Sequence, residues 1–408
     1  MGSSGGRTAA IAELSLWVVG AALIAGAAGV RVPIELPSSS TTAAPTPTPG
    51  AVAAVSASPS PTATLAPSPT PAQTLSPIVR KLQAILARKD FQFQATGTGT
   101  QSALADNLSV DLTMSGSVGY KGGDEADATK MTSNGTTVAD DTVYAGSFAY
   151  ERINSGPWIK KPRKSSDTAM WRILLSPSRM FVETGVETRN GSELHRLEVA
   201  DPAALGAEFD GVGTLTDAHV TAVFWTKDDG TPVVLRMEGT WTQPVSGITA
   251  KVTTVQEFTI TRLSGVTIAT PKNPWQSIVD GVAAIEFGVP PDWRKSEANQ
   301  SIGATTYQGA SGAILYLTFD AAGMTLDQAT DAVIAAAADP PGSRKATTVA
   351  GAPAILVGFH RAKQKDYLLE AVVLHGGKAY EIGFLGSGSD AATDALAAQI
   401  LGTLAFTK

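Results

Sequence analysis

The stretch NLSVDLTMSGSVGY, from Asn107 to Tyr120, decides the fold because apolar and polar side chains alternate along it. A period of two is that of a β-strand with one apolar and one polar face. The apolar side chains of this stretch are Leu108, Val110, Leu112, Met114, Val118 and Tyr120. They have to be covered by a helix, by a second sheet or by a ligand. The function of the protein depends on which of these covers them.

Length, charge and composition exclude several classes of protein. A chain of 408 residues suggests two domains. A net charge of −6 and a pI near 5.3 argue against nucleic acid as a partner. The absence of cysteine excludes disulfides, thiolate metal sites and the lipid-modified cysteine of a bacterial lipoprotein. With few charged residues and abundant glycine and proline, the composition suits a β-rich extracytoplasmic protein.

Residues 1–36 contain an apolar run, Leu14 to Val30, that is marginal in length for spanning a bilayer. Two interpretations remain open. The run is a cleaved signal peptide with a small-residue site near Ala25-Gly26-Ala27, or it is an uncleaved membrane anchor, which is the interpretation we favour. A buried core helix is the third alternative, but the segment that follows is predicted to be disordered and offers no core to bury it. Either of the two open interpretations predicts that the rest of the chain is exported.

Residues 37–76 consist almost entirely of proline, threonine, serine and alanine and carry no charge. Such a segment cannot bury enough apolar area to offset its chain entropy, so we predict a disordered stalk. Its physical role would be to hold a folded region away from a membrane.

The next region, residues 77–272, predicts an α+β fold. An amphipathic helix over Ile78–Lys89 precedes a series of long alternating strands. A short helix is expected within Asp167–Phe181, where Pro177 breaks it, and another over Pro202–Glu208. Asn190-Gly191 and Asp228-Asp229-Gly230 are hairpin turns. We predict a large curved antiparallel sheet, a half-barrel, with helices on its concave face.

This order of elements resembles a known family. The segments YERINSGPWIKKP, GVETRNGSELHRLEV, FWTKDDGTPVVLRMEG and VTIATP, in that order, resemble the LppX/LprG-like lipoproteins, which share the half-barrel fold of carriers such as LolA. The resemblance covers Pro77 to Pro271. It implies an apolar cavity for acyl chains between sheet and helices. This chain departs from the family in lacking the anchoring cysteine.

Residues 273–281 are predicted to be a linker, and residues 282–408 a second, smaller domain. Strands, a helix over Thr325–Ala338, four strands and a closing helix over Asp390–Leu401 suggest an α/β/α sandwich. The segments FGVPPDW, LLEAVVLHGGKAYEIGF and ILGTLAF resemble the PsbP/Mog1-like domains. That resemblance implies protein binding rather than catalysis.

Motifs for catalysis are lacking in the sequence. It contains no phosphate-binding glycine loop, no G-x-S-x-G elbow and no histidine pair at metal-ligand spacing. His195 and His219 are expected on strands as polar surface residues. We therefore predict a non-catalytic protein with no cofactor and no metal.

Two groups of residues remain as candidate sites. The first would line a lipid cavity, although the same residues would also serve as ordinary core: Phe91, Phe93, Leu108, Val110, Leu112, Met114, Trp171, Leu174, Leu175, Leu235 and Met237. The second would contact anionic head groups, although it also suits a solvated basic loop: Trp158, Lys160, Lys161 and Arg163.

The sequence therefore supports two hypotheses of function. In the first, a cell-envelope protein binds or carries a lipid or other amphiphile in the half-barrel, and residues 282–408 dock an envelope protein. In the second, the chain is a stalked extracytoplasmic interaction or sensor module with a filled core and no ligand. The expected location is the outer side of the cell membrane, or the medium if the N-terminal segment is cleaved.

Overall fold

The computed structural model describes residues 75–105, 108–163, 170–210, 215–245, 248–296, 304–386 and 388–407. The predicted signal or anchor, 1–36, lies outside the described residues, as does all but the end of the predicted stalk. Within the described ranges, no helix combines the length and the apolar character needed to cross a membrane.

The first part of the chain is built from long strands and three helices. The strands are β1 (Gln92–Ala105), β2 (Leu108–Lys121), β3 (Asp124–Ser133), β4 (Thr136–Ala145), β5 (Phe148–Ile153), β6 (Ile159–Pro162), β7 (Phe181–Arg189), β8 (Ser192–Val199), β9 (Thr216–Thr226), β10 (Pro232–Val245) and β11 (Ile248–Arg262). The helices are α1 (Pro77–Leu86), α2 (Met170–Leu174) and α3 (Pro202–Phe209).

These eleven strands form one continuous antiparallel sheet in the order β6-β5-β4-β3-β2-β1-β11-β10-β9-β8-β7. The predicted strand is β2, and it pairs with β1 without a break from Leu108 opposite Ala105 to Lys121 opposite Gln92. The large antiparallel sheet predicted from the alternation is thus confirmed. Its half-barrel curvature stays a prediction.

One face of this sheet carries the main apolar core. We call it the inner face, and it is the side to which Leu112, Met114 and Val118 of β2 point. The three helices contribute their apolar side chains to the same cluster, including Leu82 of α1, Trp171 of α2 and Leu205 of α3. The amphipathic pattern of α1 explains its place there, because its buried residues share one side of the helix.

Local signals fix several boundaries. Ser76 caps α1 by accepting a hydrogen bond from the Val79 amide, and Pro77 occupies its first turn. The predicted turn at Asn190 and Gly191 is confirmed, because both residues have positive φ as a two-residue hairpin turn requires.

The short helix predicted within Asp167–Phe181 is present and ends before the predicted break at Pro177. In the described part of that range the helix is α2 alone, and Phe181 already begins β7. Pro177 cannot continue a helix, which explains this end.

The second part of the chain adds ten strands and two helices. They are β12 (Trp275–Asp280), β13 (Ile285–Val289), β14 (Arg294–Ser296), β15 (Thr305–Gly309), β16 (Gly312–Asp320), α4 (Leu326–Ala336), β17 (Pro341–Val349), β18 (Ala352–Arg361), β19 (Asp366–His375), β20 (Lys378–Gly386), α5 (Asp390–Leu401) and β21 (Ala405–Phe406).

Seven of these strands form a separate antiparallel sheet in the order β14-β15-β16-β20-β19-β18-β17. Its residues form apolar clusters with α4 on one side and with α5, β13 and β21 on the other. The remaining strands, β12, β13 and β21, continue the large sheet, because β12 pairs in parallel with β6 at Trp275 and Gln276. The predicted linker therefore contains a strand of the large sheet, and the predicted domain boundaries stay predictions.

Candidate functional site

The predicted lining residues come together on the inner face. The residues that belong to the main apolar cluster, and are between 1% and 9% exposed, are Phe91, Phe93, Leu112, Met114, Trp171, Leu174, Leu175, Leu235 and Met237. Strand pairing explains their convergence from distant parts of the sequence, because β1 lies between β2 and β11, and β10 follows β11. The two remaining predicted residues, Leu108 and Val110, lie on β2, but their side chains are outside the described part.

Several aromatic rings pack against one another within this cluster. Trp171 packs edge-on against Phe93, with ring centroids 5.3 Å apart, and against Phe258, at 4.9 Å. Phe93 also stacks on Tyr120 at 5.7 Å. Edge-to-face and offset contacts of this kind fix the orientation of the rings. Helix α2 is thereby held against the centre of the sheet through Trp171.

Polar contacts hold the segment after α2 in place. Arg179 donates to the carbonyl oxygen of Ile173 at 3.0 Å and pairs with Glu208, next to the end of α3, at 2.7 Å. The side chain of Gln83 on α1 donates to the carbonyl oxygen of Arg179 at 2.9 Å. Arg179 is itself buried. The three helices that cover the inner face are therefore connected to one another by hydrogen bonds as well as by apolar contact.

A second feature of the inner face, which the sequence pattern did not indicate, is a group of buried acids. Glu125, Asp127, Asp140 and Glu151 are buried on β3, β4 and β5, and we call them the acidic patch. The patch adjoins the apolar cluster, because Asp127 lies directly opposite Val118 of β2. Buried acids are normally paired with cations.

The acidic patch is assembled by strand register. Asp127 lies opposite Thr142, which in turn lies opposite Glu151, and Asp140 lies opposite Thr129. These residues therefore share one face of three neighbouring strands. The alternating acids in DEADATKMTS of β3 were a visible signal, but nothing local indicated which strands would pair with it.

Burial changes the protonation of the patch. Desolvation, together with the charges of Glu151, Asp141 and Asp127, raises the pKa of Asp140 to about 7. Desolvation also raises the pKa of Asp127 to about 6, opposed by a hydrogen bond with Glu125. The raised pKa values mean that these carboxyls keep a proton to a higher pH than exposed acids do, and a protonated carboxyl can donate a hydrogen bond.

Trp158, Lys160 and Arg163, three of the predicted head-group residues, each take part in a cation–π contact within the protein. Lys160 lies over the ring of Phe148 at 3.7 Å, and Arg152 lies over the ring of Trp158 at 4.6 Å. Arg163 lies over the ring of Tyr144 at 5.0 Å.

Lys161 makes an ionic link between the two parts of the chain. Its Nζ lies 2.8 Å from Glu151 of β5 and 3.3 Å from Glu286 of β13. Burial opposes its charge, but the two carboxylates outweigh burial and raise the pKa of Lys161. Its charge is thus already balanced within the protein.

His195, expected as a surface residue, bridges two carboxylates. Its Nδ1 lies 2.6 Å from Glu183 Oε1, and its Nε2 lies 3.0 Å from Asp228 Oδ1. Burial lowers its pKa, but the hydrogen bonds to both acids outweigh burial and raise it. In the part of the chain that the structure covers, no group of three or more His, Asp or Glu side chains could hold a metal ion.

Comparison with known proteins gives distant structural likenesses. No family model matches the chain, and no curated protein matches it. One match is the crystal structure of LprF from Mycobacterium bovis, whose sequence is 16% identical to this chain and whose TM-score is 0.26. The match covers 48% of this chain and 98% of LprF.

A DUF1329 family protein from Desulfovibrio piger is 11% identical with a TM-score of 0.21, and a LolA superfamily protein from Nitrosomonas europaea is 11% identical with a TM-score of 0.19. Each of these two matches covers 48% of this chain and 93% of the other. At such TM-scores the likenesses indicate neither a ligand nor a role. The PsbP/Mog1-like resemblance of residues 282–408 stays a prediction.

Proposed function

We propose that this chain is a non-catalytic, extracytoplasmic envelope protein that binds or carries a lipid or other amphiphile on the inner face of its large sheet. One observation carries the proposal. The inner face is divided into an apolar part under the helices and a buried polar part, the acidic patch, and the two meet where Val118 lies opposite Asp127. An amphiphile likewise consists of an apolar part and a polar part, so the two parts of the inner face match the two parts of such a ligand.

The apolar part would take the chain of the ligand. Its proposed lining consists of the predicted residues whose side chains the structure describes. They run from Phe91 and Phe93 on β1 and just before it to Leu235 and Met237 on β10. Met114 and Met237 suit this role because flexible thioethers adapt to irregular shapes. Each methylene group buried there would contribute about 0.8 kcal/mol.

Contact of Trp158, Lys160, Lys161 and Arg163 with an anionic head group stays a prediction. Docking of an envelope protein by residues 282–408, and attachment to the membrane through residues 1–36, are likewise parts of this proposal. They rest on the sequence resemblances and on the apolar run.

The test is native mass spectrometry of the purified full chain, followed by organic extraction and lipid analysis. We expect a co-purifying amphiphile that is lost when Met114→Trp and Leu235→Trp are combined, because two indoles would fill the inner face. Ser115→Trp is the matched control, since Ser115 follows Met114 on β2 but is exposed. It should retain the ligand.

A protein of unliganded mass from several hosts, unchanged on addition of lipids, would refute the proposal. That result would favour the interaction or sensor module. The deep burial of the lining residues is the observation that suits this second function, since a filled core buries them equally well.

A further inference from the structure

A polar residue lies unpartnered inside the apolar part of the inner face. Gln101 of β1 is 2% exposed, and neither its Oε1 nor its Nε2 has a hydrogen-bond partner in the described part of the chain. Its direct neighbours on the adjoining strands are Leu112 of β2 and Thr254 of β11. A buried amide without partners is unfavourable by the free energy of its lost hydration.

The polar groups beside Gln101 are already engaged with one another. Thr254 donates from Oγ1 to the carbonyl oxygen of Thr100 at 3.3 Å. The Nε2 of Gln256 lies 3.5 Å from Thr254 Oγ1 and 3.7 Å from Met114 Sδ. We call Gln101, Thr254 and Gln256 the polar strip. Within it, Gln101 alone has both polar atoms of its side chain unused.

The surroundings of the polar strip place it among the proposed lining residues. A Cβ added at Gly99 would lie 2.8 Å from the Cγ of Gln256, so the Gln256 side chain lies directly over that glycine and reaches toward Met114. Met237 of β10 lies opposite Gln256. A ligand chain on this face would therefore pass beside the unused amide of Gln101.

We infer that Gln101 is a specificity-determining residue that binds a hydroxyl group on the apolar chain of the ligand. This rests on the proposed function. A primary amide has both a donor and an acceptor, and one hydroxyl can satisfy both, since it accepts from Nε2–H and donates to Oε1. An unsubstituted chain would leave both atoms of Gln101 unpaired.

The test compares the affinity of the full chain for stearate, 10-hydroxystearate and 12-hydroxystearate, with wild type, Gln101→Leu and Gln101→Met. We expect wild type to bind at least one hydroxylated chain roughly five-fold more tightly than stearate, as one hydrogen bond of about 1 kcal/mol implies. In both variants this ratio should fall to about one. The ligand-free variants should also unfold at higher urea concentration than wild type, because an unpaired amide is removed.

Two comparisons make the result specific. Gln94→Leu places the same substitution on the exposed face of β1 and should keep the wild-type ratio. Gln101→Met keeps the length of the side chain if the leucine variant fails to fold. The inference is overturned if the preference for a hydroxylated chain survives both Gln101 substitutions. It is also overturned if wild type binds stearate with the same affinity as both hydroxylated fatty acids. Either result leaves the proposed function intact. Binding of none of the three probes overturns both.

Discussion

Asp140 offers the sharpest test of the acidic patch. It is 8% exposed, and its pKa is raised from 3.8 to about 7. In the unfolded chain the carboxyl ionises near its ordinary pKa, so between about pH 4 and pH 7 the folded protein binds more protons than the unfolded one. The free energy of unfolding therefore falls as the pH rises through this window and stays low above it.

The magnitude follows from the size of the shift. A shift of about three units at 1.36 kcal/mol each corresponds to about 4 kcal/mol of lost stability above pH 7. The variant Asp140→Asn cannot ionise and should escape this loss. We expect it to be more stable than wild type by about 2–4 kcal/mol near pH 8, with the difference shrinking toward zero near pH 4.

The assay is urea unfolding at several pH values between these limits, followed by near-ultraviolet circular dichroism. Asp111→Asn is the matched control, because Asp111 is an exposed carboxylate of β2 that is not among the groups raising the pKa of Asp140. The control should keep the pH dependence of wild type. A pH-independent difference between Asp140→Asn and wild type, or a variant less stable near pH 8, would refute the reasoning.

Two further predictions concern charges outside the apolar cluster. His195→Gln should lower stability by about 1 kcal/mol near pH 6, because the raised pKa of His195 stabilises the fold below its unfolded pKa, and this contribution is lost as the pH rises through the folded pKa. Equal losses near pH 6 and pH 9 would contradict this expectation. Lys161→Met should lower the free energy of unfolding by about 3 kcal/mol, since it leaves Glu151 and Glu286 without their cation. Thermal unfolding measures this loss, and adding Glu151→Gln should restore part of it. A melting temperature equal to that of wild type would rule out the ionic link.

The sequence contains enough local information to predict the large sheet and its helices. Alternation in β2, the turn at Asn190 and Gly191, and the helix beginning after Thr325 are properties of short segments. The residues of the apolar cluster were predictable for the same reason, because one face of each alternating strand has to be buried. Whether these residues are filled core or ligand lining is not a local property.

The acidic patch and Gln101 depend instead on which strands become neighbours. Asp140 joins Asp127 and Glu151 only because β3, β4 and β5 pair in a particular register. Gln101 follows a glycine-rich stretch in which Gly97 and Gly99 have no side chains, so its inward direction had little local support. Lys161 meets Glu286 through the parallel pairing of β6 with β12, which the predicted linker did not suggest.

The central claim is that the inner face accommodates an amphiphile, and a crystal structure with a bromine-labelled fatty acid tests it most directly. The account predicts an anomalous bromine peak in van der Waals contact with Leu112 or Met114, beneath the helices that include Trp171. Bromine found only on the opposite face of the sheet, in crystals of protein that binds the same probe in solution, would contradict the account.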